Sequence, residues 1–147
     1  ITSLSIFIFS TIPVKLLKIA KNLKILYVED DINLQNNMLN ILENFFSDIY
    51  VADNGKEGLD IFKDNINTES NFDIVISDLD MPEIDGFEMC SQILETKPDQ
   101  KIIITTAFAT KENINKLVEQ NIEVLKVLEK PIKMNQFIII LLELLKK

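Results

Sequence analysis

The 147-residue chain has no histidine, a single cysteine (Cys90) and only three glycines. Without histidine, Ser-His-Asp and Cys-His mechanisms are excluded, and so is a role as a phosphohistidine carrier. Any phosphoryl group held here must sit on another kind of side chain. One cysteine permits no internal disulfide and no thiolate metal site, which suits a reducing cytosol. Dense clusters of lysine and arginine are also missing, and the net charge of −8 argues against a nucleic-acid surface. No membrane span is expected either: Ile1 to Pro13 is mostly apolar, but Pro13 and then Lys15, Lys18 and Lys21 end the run short of the roughly 20 apolar residues a span needs. In a secretory signal the charge precedes the apolar run, and here it follows.

What is present reads as one globular domain. Apolar residues make up 47% and charged residues 26%, with mean hydropathy +0.15, enough to build a core. From Leu23 onward, apolar strand-like runs at 24–28, 49–52, 73–77, 101–105 and 124–129 alternate with stretches of helical spacing. Leu34, Met38, Ile41, Leu42 and Phe45 form one such stripe; Leu59, Phe62 and Ile66, then Phe87, Cys90 and Leu94, form others, with a weaker one at Ile114, Leu117 and Val118. Alternation at this period predicts right-handed βαβ units and a parallel, doubly wound sheet covered on both faces.

Three of the apolar runs end in charge: Glu29-Asp30-Asp31, Asp78, and Lys130-Pro131. In a doubly wound sheet, ligands bind outside the carboxyl ends of the strands, so these charges are expected to converge there. Converging carboxylates repel one another unless a hard divalent cation with oxygen ligands sits between them. Taken singly, each residue has a plainer reading. Asp31 is the expected N-cap of a helix, Asp78 opens a turn towards Pro82, Thr106 is a β-former, and Lys130 is a solvated strand end. Asp53-Asn54-Gly55 and Asp85-Gly86 read as turns, while Met81, Met89 and Cys90 read as packing residues.

Four segments in order, Lys24 to Asp31, Asp78 to Gly86, Thr105-Thr106-Ala107 and Glu129 to Ile132, resemble the receiver domains of two-component response regulators, and the likeness runs from Leu23 to about Leu145. The resemblance implies a flavodoxin-like (βα)5 fold with strand order 2-1-3-4-5 over residues 23–147; residues 1–22, apolar and then basic, read as an added extension or linker. It also implies Asp78 as phospho-acceptor, and Mg²⁺ held by Glu29, Asp30, Asp78 and the backbone carbonyl of Asp80. Thr106 and Lys130 would engage the phosphoryl group. The implied partner is a sensor histidine kinase or phosphotransfer protein, the implied place is the cytoplasm, and the chain would be a regulator rather than a turnover enzyme.

Departures from the pattern concern readout. Receivers usually carry Tyr or Phe three residues before the lysine, and here Val127 stands there; Phe108 is the nearest aromatic substitute. The interval from Thr106 to Lys130 is about two residues longer than usual. Two rivals remain: a degenerate receiver used only for binding, and a haloacid-dehalogenase-like phosphatase, whose Asp-x-Asp motif Asp78-Leu79-Asp80 imitates. Phe137 to Leu145 is apolar at eight of nine positions, so its helix is expected to be buried on more than one side, by the extension or by a second copy. The Ile at position 1 leads to the expectation of a longer parent polypeptide.

Overall fold

The computed structural model describes residues 14–66, 71–79, 81, 86–107 and 112–146. Asp80, Pro82, Asp85, Phe108, the side chain of Ile114 and the apolar run 1–13 lie outside them. Eleven elements follow in order: α1 (Val14–Lys21), β1 (Lys24–Val28), α2 (Ile32–Leu42), β2 (Asp48–Ala52), α3 (Gly55–Asn65), β3 (Ile74–Asp78), α4 (Gly86–Thr96), β4 (Lys101–Thr106), α5 (Glu112–Gln120), β5 (Leu125–Glu129) and α6 (Met134–Leu145).

All five strands are parallel, in the order β2-β1-β3-β4-β5 expected from the sequence. Strands β1 and β3 are buried along their whole length, which is why they read as continuous apolar runs rather than as alternations. Successive side chains still leave on opposite faces. Leu26, Val28, Val75, Ile102 and Ile104 enter one core with Leu59 and Phe62 of α3, Met89 and Ile93 of α4 and Leu117 of α5. Ile25, Tyr27, Ile74, Ile76 and Ile103 enter the other, with Met38 and Leu42 of α2 and Phe137 and Leu141 of α6.

Leu16 and Ala20 of α1 belong to that second core. Only Asn22 and Leu23 separate α1 from β1, so the helix is held against the sheet by its own buried face. The helix starts are specified locally. Asp31 accepts from the amides of Asn33 and Leu34 at 2.9 and 3.1 Å, and Asn54 accepts from the Glu57 amide at 2.8 Å while Glu57 accepts from the Asp53 amide at 3.3 Å.

Two helix faces differ from expectation. Leu34 is 42% exposed, because Gln35 rather than Leu34 turns inward at the top of α2. In α6, Phe137, Ile138, Leu141 and Leu144 are buried, whereas Ile139 and Leu142 are 54% and 40% exposed. The helix is therefore buried along one stripe, not on more than one side, and its apolar excess faces outward.

Candidate functional site

Register brings the charged strand ends together. Val28 lies opposite Ser77, so Glu29, one residue on, lies beside Asp78. Asp78 in turn lies opposite Thr105, and Thr106 opposite Glu129, which sets Thr106 and Lys130 on the same edge. The ladders run past the strand ends: the Glu29 amide donates to the Ala52 carbonyl at 3.1 Å, Leu79 to Thr105 at 3.1 Å, and Lys130 to Thr106 at 2.7 Å. The site is thus mounted on hydrogen-bonded backbone rather than on free loop, which holds its side chains in place.

Carboxylate oxygens of Glu29, Asp30 and Asp78 all lie within 4.8 Å of one another. Glu29 and Asp78 are buried, and Asp30 is exposed. The Lys130 ammonium bridges the two buried members, donating to Asp78 Oδ1 at 3.0 Å and to Glu29 Oε1 at 3.3 Å. The peptide bond that follows, Lys130-Pro131, is cis.

The electrostatics reflect this crowding. Burial, and then the neighbouring Asp78 charge, push the Glu29 carboxyl up to about 7, and Lys130 only partly offsets them. Burial alone pulls the Lys130 ammonium down, but the hydrogen bond and charge of Asp78, with Glu29 behind them, raise it overall. Tyr27, two residues before Glu29 and on the same face of the strand, is held far above the usual phenol range by burial and then by the Glu29, Asp78 and Asp31 charges. An acidic cluster with one cation is therefore short of positive charge, and its three hard oxygen donors suit a divalent cation.

Two supporting residues were not legible as site residues. Gln35 is buried and donates to the Glu29 carbonyl at 3.1 Å and to Asp53 Oδ1 at 3.0 Å, tying the end of β1 to the start of α3. A glutamine near a helix start ordinarily reads as solvated, and nothing in its spacing marked it. Gly86, read as a turn, packs onto the end of β3. A Cβ there would overlap the Asp78 carbonyl oxygen and come within 2.7 Å of the Leu79 Cα. The Gly86 amide also donates to the Leu79 carbonyl at 2.9 Å.

Of the expected site residues, Glu29, Asp30, Asp78 and Lys130 meet, and Thr106 is fully buried at the same edge. Asp80 lies outside the described residues. Val127 is partly buried against the first core, opposite Ile104.

A doubly wound sheet with an acid triad and a lysine at its carboxyl edge defines a class of phosphorylation-dependent signalling domains. The profile of the response regulator receiver domain matches residues 25–142, and the chain belongs to that family. It is 32% identical over 96 residues to the chemotaxis protein CheY of Halobacterium salinarum, covering 65% of this chain and 76% of that one. It is 33% identical over 94 residues to the probable transcriptional regulator ycf29 of Pyropia yezoensis, covering 62% of this chain but only 40% of that protein. Among solved structures, the CheX-CheY-BeF3-Mg complex of Borrelia burgdorferi superposes with TM-score 0.69 at 25% identity, covering 85% of this chain and 90% of that one. Receiver domains of this kind are signalling domains of two-component systems rather than turnover enzymes.

Proposed function

We propose that Asp78 accepts a phosphoryl group from a phosphohistidine on a partner kinase or phosphotransfer protein, and that the modified edge alters what the domain binds. The observation that carries this reading is the meeting of Glu29, Asp30 and Asp78 within 4.8 Å beside Lys130. An Asp78 carboxylate oxygen attacks phosphorus, the O–P bond forms, the P–N bond of the phosphohistidine breaks, and the imidazole leaves with the electron pair. Nothing in this chain can serve as the donor, since it has no histidine.

The three carboxylates, with the Asp80 carbonyl as an expected fourth donor, would hold Mg²⁺, which supplies charge neutralisation between the acceptor and the incoming phosphoryl oxygens. This chain's own residues do the rest. Lys130, now bonded to Asp78, exchanges a carboxylate oxygen for a phosphoryl oxygen as the acceptor is modified. The Thr106 hydroxyl donates to another phosphoryl oxygen. Gln35 and Gly86 keep the ends of β1 and β3 in position. Catalysis here is positioning and electrostatics, so the chain promotes its own phosphorylation and hydrolysis and turns over no other substrate.

The outward apolar face of α6, with Ile139 and Leu142, supports self-association as one output, and a sizing measurement showing only monomer at high concentration would exclude it. The reading places the domain on the cytoplasmic side, where its kinases present phosphohistidine, without direct contact to nucleic acid. The solved Borrelia relative was captured with BeF3 and Mg, and the same mimic tests this chain. Beryllofluoride with Mg²⁺ is expected to raise the unfolding midpoint of the native chain but not of Asp78→Asn. No Asp78-dependent shift would leave a degenerate, binding-only receiver. Steady hydrolysis of an aryl phosphate would revive the phosphatase.

A further inference from the structure

The charge of this chain is unevenly placed. Its first 28 residues contain Lys15, Lys18, Lys21 and Lys24 and no acid, so residues 29–147 carry −12 of a total of −8. Lys24 is buried at the start of β1, but the other three are exposed on α1. At about 100° per residue they span about 120° of the helix, centred opposite the midpoint of the buried Leu16 and Ala20. They make no ion pair among the described residues. Val14 falls within that arc and Ile19 beside it, 66% and 45% exposed.

Immediately before α1, residues 1–13 hold no charge and place Ile, Leu or Phe at seven positions. From this pairing we propose that α1 and the run before it bind the surface of an anionic lipid bilayer, the lysines meeting headgroup phosphates and the apolar run entering the interface. Stable peripheral attachment takes two signals, an apolar insertion and a basic patch, and both are adjacent here. A nucleic acid would use the lysines but offers nothing to the apolar run. The bilayer is matched on both counts, and attachment needs no membrane-crossing helix, of which there is none among the described residues. α1 is anchored to the second core by Leu16 and Ala20, so attachment would fix the receiver at a set distance from the surface.

Sedimentation of the full 147-residue chain with phosphatidylcholine vesicles, with and without phosphatidylglycerol, tests this. Binding is expected to favour the anionic vesicles and to fall with added salt. Lys15→Gln, Lys18→Gln and Lys21→Gln together should weaken it on the order of a hundredfold, at about fivefold per lysine. Removing residues 1–13 should weaken binding to both kinds of vesicle, while the unfolding midpoint of the lysine variant stays at the parent value. Failure to bind anionic vesicles at low salt would overturn the proposal. So would equal binding by the lysine variant, or lysine-dependent binding to duplex DNA or to a second copy with vesicles ignored.

Discussion

Glu29 is the residue whose chemistry is least settled without a cation. Its carboxyl is pushed up to about 7 by burial and by Asp78, against an ordinary value of 4.5. Between those values the folded chain holds a proton that the unfolded chain has released, so folding stability falls as pH rises through the window. In metal-free buffer the unfolding midpoint should decline from pH 4.5 to about 7, and Glu29→Gln should flatten that part of the profile. Added Mg²⁺ should reverse the slope, because the ion favours the ionised pair. An unchanged slope in Glu29→Gln would show that the proton is held elsewhere. Gly86→Ala forces a methyl against the Asp78 backbone, and about 3 kcal/mol of stability should be lost by denaturant titration, with slower labelling of Asp78 among the molecules that remain folded. Gln35→Ala removes the donor shared by Glu29 and Asp53 and should cost roughly 1–2 kcal/mol while raising the Mg²⁺ concentration needed for phosphorylation.

Among the elements, the strands were legible and the helix faces only partly so. Buried parallel strands carry few charged residues along their length and admit them mainly where they leave the sheet, so the ends of β1, β3 and β5 announced both the fold and the site. A helix needs only part of its circumference to be buried, and surplus apolar residues go outward without harm. Leu34 therefore broke the stripe predicted for α2, and Ile139 and Leu142 kept α6 from being enclosed. Helix α1 was hidden for the opposite reason: its lysines and the preceding Pro13 mark it as separate, yet Leu16 and Ala20 are enough to seat it. Leu141→Ala, fully buried in α6, should cost about 2–5 kcal/mol. Leu142→Lys, one residue on and 40% exposed, should change monomer stability by less than about 0.5 kcal/mol. Equal costs in the two would mean that α6 is covered on its outer face.

At the scale of the whole molecule, the sheet brings together residues 101 positions apart, as in the Lys130–Glu29 pair, and the result is an edge of three carboxylates and a lysine mounted on hydrogen-bonded strands. The recognised segments of sequence named this edge because each sits where a strand ends. Gln35 and Gly86 escaped notice because their roles lie in contacts, with a carbonyl and a backbone turn, that no spacing reveals. The departure at Val127 concerns how a change at the edge reaches the rest of the surface, and the geometry at the edge does not depend on it. The central claim is that Asp78 takes the phosphoryl group in a divalent-cation-dependent reaction. Intact-mass analysis after incubation with acetyl phosphate and Mg²⁺ tests it most directly: one added phosphoryl mass is predicted in the native chain, lost with EDTA and in Asp78→Asn. An unmodified native chain, or the same added mass in Asp78→Asn, would contradict the account.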